Sequence, residues 1–231
     1  MTASDRRSAT AQVLLDDGDG AGLADATIGL ADDVEHHLRR VLRIRDGESV
    51  VVTDGRGRWR MTLARVSGSS LSLEPIGEVG REPAPDSFTL ATAIPKGDRL
   101  DWLVQKTVEL GVSRLVLLDA ERSTVRWNGE RVDRQLARVR RIADEATRQS
   151  RRVWRAEIDG PVPAASVLVD AAVAEVGAAN VPADEPMIAI GPEGGWSQRE
   201  LDLAPRRVGL GANVLRVETA AIAATTLRMI R

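Results

Sequence analysis

Cysteine is absent from the sequence, and histidine and lysine each occur only twice. The absence of cysteine excludes disulfides and thiolate metal sites and suits a reducing compartment. The two histidines are the neighbours His36 and His37, so a metal cage of several histidines is excluded. A Ser-His-Asp triad would have to use one of these two residues. We expect no metal site.

Long apolar runs are absent as well. No segment approaches the roughly 18 apolar residues that a membrane-spanning helix needs. The amino-terminal stretch MTASDRRSATAQ lacks the hydrophobic core of a signal peptide. With 231 residues, of which 43% are apolar, the chain can bury a substantial core. We therefore expect a cytoplasmic globular protein that does not associate with membranes.

Positive charge is carried almost entirely by arginine, because Lys96 and Lys106 are the only lysines. The net charge of −2 gives no reason to expect a general polyanion binder. Eleven arginines nevertheless lie between Arg122 and Arg155. Arginine binds phosphate bidentately and stacks on bases. This segment is therefore either an RNA-binding surface or a solvated helix face with internal salt bridges.

The first part of the chain has the pattern of a small β-barrel. The stretch ESVVVTDGRGRWRMTLARV predicts two strands joined by a glycine turn, with Trp59, Met61 and Leu63 on one side. SLSLEPI alternates again, and DDVEHHLRRVLRIRDGE predicts a short helix before the strands. We expect a barrel over residues 1–77 with a basic surface.

A proline- and glycine-rich stretch, residues 78–86, is the predicted linker. Beyond it the pattern changes to strand, helix and strand through FTLATAI, PKGDRLDWLVQKTVELG and RLVLLDA, which predicts a parallel sheet over residues 87–231. In the helix Asp98 is the predicted cap and Gly111 the residue that ends it. A long helix is predicted over 132–150, with buried strands at SVLVDA and MIAIG and a last helix at ETAAIAATTLRMI.

The stretch MIAIGPEGGWSQREL combines a buried strand, a glycine-rich turn and a helix start. Ser197 and Glu200 fit a capping box, so a helix begins there. Glycines at the carboxyl end of a parallel strand let a flat ligand approach the main chain. The alternative is a strand-to-helix turn that binds nothing.

The nature of such a ligand is limited by what this turn lacks. No Gly-Lys-Ser/Thr triplet occurs, and no G-x-G-x-x-G fingerprint is complete. Glu193 within the loop repels phosphate. An adenosine without phosphate suits backbone donors and acceptors better, and a phosphate-binding NTPase is disfavoured.

A second glycine loop, Leu210 to Asn213, is followed by LRVETA near the end of the chain. Arg216 and Glu218 are two residues apart and share a side if this segment is extended. If it is instead the start of a helix, Glu218 favours the helix dipole and Arg216 is solvated. The spacing alone leaves both interpretations open.

Six segments taken together resemble the RsmE family of 16S rRNA uridine-N3 methyltransferases, of the SPOUT class. They lie in the family's order and are HLRRVLRIRDGESVVVTDGRG, AIPKGDRLDWLVQKTVELGV, ERSTVR, IADEATRQSRR, IGPEGG and LGANVLRVETA. The resemblance covers the chain from about His37 to Ile230 and implies an N-terminal PUA-like RNA-binding barrel and an α/β domain with a deep trefoil knot. It also implies a homodimer that methylates N3 of one uridine in the decoding region of 16S rRNA, within the small ribosomal subunit.

The resemblance further implies which residues bind S-adenosylmethionine and RNA. The cofactor would lie in the knot. From the chemistry of methyl transfer to a ring nitrogen, we expect Arg216 to stabilise the developing enolate oxygen and Glu218 to help orient it. The residues implied to bind the cofactor are Val169, Asp170, Gly191, Pro192, Glu193, Gly194, Gly195, Leu210, Gly211, Leu215 and Arg216. The residues implied to bind RNA are Arg39, Arg40, Arg43, Arg58, Arg60, Lys96, Arg122, Arg148, Gln149, Arg151 and Arg152.

Several alternatives stay open at this point. The chain can be a SPOUT methyltransferase that acts on another rRNA or on tRNA, or an RNA-binding protein without catalysis. Trp154 can stack on a base or serve as a buried aromatic anchor, and His37 can be structural or face RNA. The intact IGPEGG and LGANVLRVETA segments favour an enzyme.

Overall fold

The computed structural model describes residues 6–15, 19–25, 27–68 and 70–230. The chain forms two compact units. The first comprises Met1–Ala84 together with Thr147–Arg155, and the second comprises Pro85–Ala146 together with Ala156–Arg231. Within the described ranges, no helix combines the length and the apolar character that crossing a membrane requires.

The first unit contains a four-stranded sheet in the order β1-β2-β3-β4. Strand β1 runs parallel to β2, and the other pairs are antiparallel. Helix α1 precedes the sheet strands β2 to β4 and continues into a π-helical turn over His37–Val41. The bounds are β1 Ala11–Leu14, α1 Asp32–His36, β2 Ser49–Thr53, β3 Arg58–Ser67 and β4 Ser70–Arg81.

Strand β3 is buried on both faces, which the predicted alternation did not include. Trp59 and Met61 pack with Val51 on one face, as expected. On the other face Thr62 is fully buried and donates to the carbonyl of Val50 at 2.8 Å. Ala64 there joins the main apolar cluster of this unit. Because an apolar cluster lies on each face of β3, the side chains on both faces must be either apolar or, like Thr62, hydrogen-bonded.

The segment Thr147–Arg155 completes the first unit. The amide of Gly57 donates to the carbonyl of Val153 at 2.9 Å, and Val153 is buried in the same cluster as Trp59. The half-buried Trp154 lies against Gly57, where a Cβ would come within 2.4 Å of its ring. Trp154 is therefore an anchor of this unit. The sequence had assigned this segment to the second domain, and it had placed the start of the linker within what is strand β4.

The second unit contains a six-stranded, fully parallel sheet in the order β10-β8-β9-β5-β6-β7. Its large apolar cluster lies against helices α2, α3 and α6. The strands are β5 Thr89–Ala93, β6 Arg114–Asp119, β7 Glu157–Pro163, β8 Ala172–Ala174, β9 Met187–Ile190 and β10 Arg206–Val208. The helices are α2 Arg99–Glu109, α3 Arg131–Gln149, α4 Ala165–Leu168, α5 Gln198–Leu203 and α6 Val217–Met229.

Most of the predicted elements of this unit are confirmed, and one is wrong. Gly111 follows α2 with φ +110°, as a helix-ending glycine does. Asp98 caps α2 by position but makes no capping hydrogen bond through its side chain. SVLVDA is not a strand: it forms the one-turn helix α4 and the residues before β8. An apolar run this short does not distinguish a strand from a buried helical turn.

Candidate active site

A cavity of about 380 Å³ lies where β8, β9 and β10 end, and we call it the glycine-loop cavity. These ends are the carboxyl ends of neighbouring parallel strands, the usual place for ligands in open α/β sheets. Its walls come from the segments after the three strands and from the first turn of α6. The lining residues are Ala174, Glu175, Val176, Ile190, Gly191, Pro192, Glu193, Gly195, Trp196, Leu210, Gly211, Asn213, Val214, Leu215, Arg216, Val217 and Ala220.

The loop after β9 has the structure that its glycines allow. Gly195 has φ +70° and donates its amide to the carbonyl of Pro192 at 2.8 Å, which closes a tight turn. The predicted capping box of α5 is confirmed, since Ser197 accepts from the amide of Glu200 and Glu200 accepts from the amide of Ser197. Glu200 also accepts from the amide of Glu121 at 2.8 Å. This network fixes the loop at the carboxyl end of its strand.

Arg122 holds the same loop from the other side. Its Nη1 donates to the carbonyl of Trp196 at 3.1 Å and to that of Gly194 at 3.4 Å. A Cβ on Gly194 would come within 3.3 Å of the Arg122 Cβ, so the two segments are packed closely. The sequence indicated Arg122 as an RNA contact, whereas its observed partners are carbonyls of the glycine loop.

The loop after β10 depends on glycine for a different reason. A Cβ on Gly209 would come within 2.3 Å of the carbonyl oxygen of Ala178, so no other residue fits there without a backbone shift. Gly211 has φ +129°, a conformation that L-residues rarely adopt. The loop then passes along the cavity to Arg216, which is exposed and stands at the N-cap of α6.

The predicted third wall of the cavity is formed by other residues. Val169 and Asp170 are exposed and precede β8, so they lie at the opposite end of that strand from the cavity. The wall consists instead of Ala174, the last residue of β8, and of Glu175 and Val176, which follow the strand. The error has the same cause as the wrong strand at SVLVDA, because a strand ending there would have brought Val169 and Asp170 to the ligand edge.

Glu218 is paired with Arg99, a residue that the sequence had not indicated. Helix α6 begins at Val217, so the side chains of Arg216 and Glu218 diverge, and the expected orientation of Arg216 by Glu218 is not observed. The Arg99 Nε lies 3.7 Å from the Glu218 Oε1, and the Arg99 Nη1 lies 3.8 Å from the Glu193 Oε1. One guanidinium thus connects the glycine loop to the first turn of α6.

A second, wider cavity of about 730 Å³ adjoins the first, and we call it the tryptophan cavity. Arg216 and Val217 line the first cavity, and the next two residues of the chain line the second. Its lining residues are Lys96, Gly97, Asp98, Arg99, Trp102, Glu218 and Thr219. Trp102 is 47% exposed. The sequence could have indicated this exposure, because Trp102 falls outside the apolar stripe of α2.

The arginines of α1 and its following turn differ in their partners. Arg40 and Arg43 are exposed. Arg39 forms an ion pair with Glu35 at 3.4 Å and donates to the carbonyl of Gly68 at 3.1 Å. Lys96, in the second unit, is also exposed.

The two strand arginines that were expected to bind RNA, Arg58 and Arg60, are half-buried. Arg60 donates to the carbonyls of Leu23, Asp25 and Gly77 at 2.9 to 3.1 Å, which binds a neighbouring loop to β3.

The RQSRR segment is built into the first unit. Arg151 has φ +59° and donates to the carbonyls of Ala9 and Thr10 at 2.8 and 3.1 Å. Burial, and then the charge of Arg6, lower the pKa of Arg151. Burial lowers the pKa of Arg152 to about 10, and its carbonyl accepts from the Gln12 side chain at 2.6 Å.

The other two residues of this helix end were also indicated as RNA contacts. Arg148 is half-buried, whereas Gln149 is exposed.

Comparison with known proteins decides the family. A family model described as an RNA methyltransferase domain matches residues 82–229. The chain belongs to this RNA methyltransferase family. A second model, described as an RNA methyltransferase PUA domain, matches residues 30–76. The resemblance is thereby confirmed for an α/β methyltransferase domain that follows an N-terminal PUA domain.

Individual relatives of this RNA methyltransferase agree. The ribosomal RNA small subunit methyltransferase E of Synechocystis sp. is 32% identical over 222 residues, which cover 86% of this chain and 71% of that protein. The Mycobacterium tuberculosis protein of the same name is 32% identical over 214 residues, or 83% and 82% of the two chains. The crystal structure of a ribosomal RNA small subunit methyltransferase E from Neisseria gonorrhoeae bound to S-adenosyl methionine superposes with a TM-score of 0.80 at 27% identity, covering 94% and 95%.

Proposed function

We propose that this protein transfers a methyl group from S-adenosylmethionine to N3 of one uridine in the decoding region of 16S rRNA. The substrate is the small ribosomal subunit in the cytoplasm. The observation that carries the proposal is the glycine-loop cavity, which is formed by the two segments that carry the family resemblance, IGPEGG and LGANVLRVETA.

The residues of the cavity fit this cofactor. Its volume is within the range of roughly 300–1,000 Å³ that small-molecule sites have. Ile190, Leu215 and Ala220 supply apolar wall for an adenine, and the backbone of the glycine loops supplies donors and acceptors. The Nε1 of Trp196 is buried and has no acceptor among the described residues, so a ligand acceptor would satisfy it. Glu193 favours a cationic ligand over a phosphate.

Within the proposed site the cofactor is held by a subset of the residues implied by the resemblance. Gly194 supports the loop beside Arg122 and is not among the lining residues. The proposed holding residues are Gly191, Pro192, Glu193, Gly195, Leu210, Gly211, Leu215 and Arg216, to which the structure adds Glu175, Trp196 and Asn213.

The bound cofactor supplies an electrophilic methyl group on a sulfonium. The chain must align N3 of the uridine with that methyl group and offset the loss of the N3 proton. Arg216 stands exposed at the rim of the cavity, and no hydrogen bond or ion pair joins its side chain to a described residue. We assign to Arg216 the stabilisation of the negative charge that develops on a uracil oxygen during methyl transfer.

The first unit is proposed to bind the RNA around the target. Arg40 and Arg43 present free surface for phosphates, whereas Arg60, Arg151 and Arg152 support the fold of the unit through carbonyl contacts. The family resemblance carries two further parts of the proposal, a deep trefoil knot around the cofactor and a homodimer. Light scattering of the purified protein is expected to give twice the chain mass of 24.9 kDa.

The test uses purified protein, labelled S-adenosylmethionine and small subunits that lack their native modifications. Mass spectrometry of RNase digests then locates the added methyl. One N3-methyluridine in the decoding region is the expected result. A methyl at another site keeps the enzyme class and overturns the target. Cofactor binding without transfer means that the substrate is wrong, and the loss of both leaves an RNA-binding protein.

A further inference from the structure

The tryptophan cavity has the features of a binding site for a flat heterocycle. It lies between the N-terminal turns of α2 and α6, and it adjoins the glycine-loop cavity along consecutive residues of the chain. Trp102 offers it an exposed aromatic face. Aromatic side chains of this kind stack on nucleobases that have left a helix.

Glu218 supplies the observation that points to a hydrogen-bonding ligand. The residue is 8% exposed, and its Oε2 is buried without a hydrogen bond from any described residue. Its Oε1 lies 3.7 Å from the Nε of Arg99. A buried carboxylate oxygen that lacks a donor is costly, so a lining residue in this state indicates that a donor arrives with the ligand.

We propose that the tryptophan cavity receives the base of the acceptor nucleotide, and that Glu218 reads its N3 position. This inference rests on the proposed function. Uracil presents one N–H donor, at N3, between two carbonyl oxygens. Glu218 presents an acceptor, and the cations Lys96 and Arg99 line the same cavity. Cytosine has a lone pair at N3 and no proton, so the same carboxylate repels it.

The arrangement also accounts for the proton in the transfer. The sulfur–methyl bond breaks and the sulfur keeps the electron pair, while the N3–methyl bond forms. The N3 proton passes to the Glu218 carboxylate and from there to solvent. Arg99 is a positioning residue in this scheme, because it lies between Glu193 of one cavity and Glu218 of the other.

Once methyl transfer by the wild-type protein has mapped the acceptor, the experiment measures binding rather than turnover, so a variant that has lost the chemistry can still be assayed. Small subunits are reconstituted with 16S transcripts that carry uridine or cytidine at the mapped acceptor position. Their dissociation constants are measured with S-adenosylhomocysteine present. Trp102→Ala is expected to weaken binding of both RNAs by roughly tenfold, since stacking tolerates any base. Trp102→Phe should restore most of the affinity, and Gln105→Ala, one turn further along α2, is the matched control.

Glu218→Gln tests the reading of N3. The amide can turn either its oxygen or its nitrogen to the base, so the preference of the wild-type protein for uridine over cytidine should disappear. An unchanged preference overturns the role of Glu218. An effect of Trp102→Ala no larger than that of Gln105→Ala overturns the base site. A mapped acceptor other than uridine overturns the proposed function together with the role of Glu218, whereas a Trp102→Ala effect on that RNA still supports a base site.

Discussion

Gly191 lies against the indole ring of Trp196, so close that a Cβ on Gly191 would come within 2.8 Å of Cε2. Both residues line the glycine-loop cavity, and Trp196 is 8% exposed. The loop after β9 can therefore follow its path only with glycine at its first position. The indole ring of Trp196, which occupies the space that a Cβ on Gly191 would need, is itself part of the cavity wall.

Gly191→Ala is therefore expected to displace Trp196 and to weaken S-adenosylmethionine binding by about tenfold or more, as overpacking costs of about 1–3 kcal/mol imply. Isothermal titration calorimetry of the purified variant measures this. Gly29→Ala is the control, because no heavy atom lies within 4 Å of its built Cβ and its φ is not in the left-handed region. Unchanged affinity in Gly191→Ala would show that this loop does not shape the cofactor site.

Arg122, beside the glycine-loop cavity, either supports the glycine loop or contacts an RNA phosphate, and a substitution distinguishes the two roles. Because it donates to the carbonyls of Gly194 and Trp196, Arg122→Ala should loosen the glycine loop and weaken cofactor binding by about threefold to tenfold. If Arg122 instead contacts a phosphate, the variant keeps its cofactor affinity. In that case the plot of the logarithm of the RNA association constant against the logarithm of the salt concentration becomes less steep by about one. Arg199→Ala, with an 86% exposed side chain nearby, is the matched control.

Arg216 is the residue on which the proposed chemistry depends most. Arg216→Ala should lower kcat for methyl transfer by about 10²- to 10³-fold, as the loss of one donor to a developing oxyanion does in other enzymes. Arg216→Lys retains the charge but lacks the planar guanidinium, so its kcat should lie between those of the wild-type protein and Arg216→Ala. Rapid-quench kinetics with saturating cofactor measure the effect. Intact turnover in Arg216→Ala with unchanged cofactor affinity would remove Arg216 from the mechanism.

The burial of Arg152 predicts a pH dependence for a lysine variant. Burial lowers the pKa of Arg152 to about 10, and the same burial should lower the pKa of a lysine there below its ordinary value of about 10.4. A base with a lowered folded pKa binds fewer protons in the folded state. Stability therefore rises with pH between the folded and the unfolded pKa.

Arg152→Lys should accordingly melt below the wild-type protein at pH 7 and recover part of the difference by pH 10. Thermal melting in steps of one pH unit measures this, relative to Arg40→Lys at an exposed position. A difference that stays constant from pH 7 to pH 10 would contradict the argument. It would mean that the lysine reaches solvent.

The sequence predicted features that depend on residues close together in the chain. The capping box of Ser197 and Glu200 and the terminal Gly111 are examples, because the atoms that interact are within a few residues. The glycine-loop cavity was also largely predictable, since two contiguous segments form most of it. Its third wall was not, because a short apolar run does not reveal which end of β8 meets the ligand.

Features that depend on tertiary packing were missed. Thr147–Arg155 reads as a continuation of a basic helix, yet it belongs to the first unit through contacts such as that of Trp154 with Gly57. Nothing local to Arg99 indicates that it lies beside Glu218, since α2 and α6 are far apart in the sequence. Charge pairings of this kind can be identified only once the sheet topology is known.

An ion pair with one buried partner, at the edge of the sheet, leads to a stability prediction. Arg206 donates to both carboxylate oxygens of Glu185 at 2.8 and 2.9 Å, and Glu185 has only 3% of its side chain exposed. Hydrogen bonding and the charge of Glu185 raise the pKa of Arg206, which stays protonated. Arg206→Ala leaves a buried carboxylate without these donors. We expect a loss of about 1–3 kcal/mol, at the low end because Arg206 itself is partly exposed.

The neighbouring pair supplies the control for this prediction. Arg207 binds Glu175 at 3.0 Å, and both side chains are at least a third exposed. Arg207→Ala should therefore cost under about 1 kcal/mol, because exposed ion pairs contribute little. Urea unfolding of both variants at the same pH measures the two free energies. Equal losses would mean that water reaches Glu185 once Arg206 is removed, since a hydrated carboxylate no longer lacks donors.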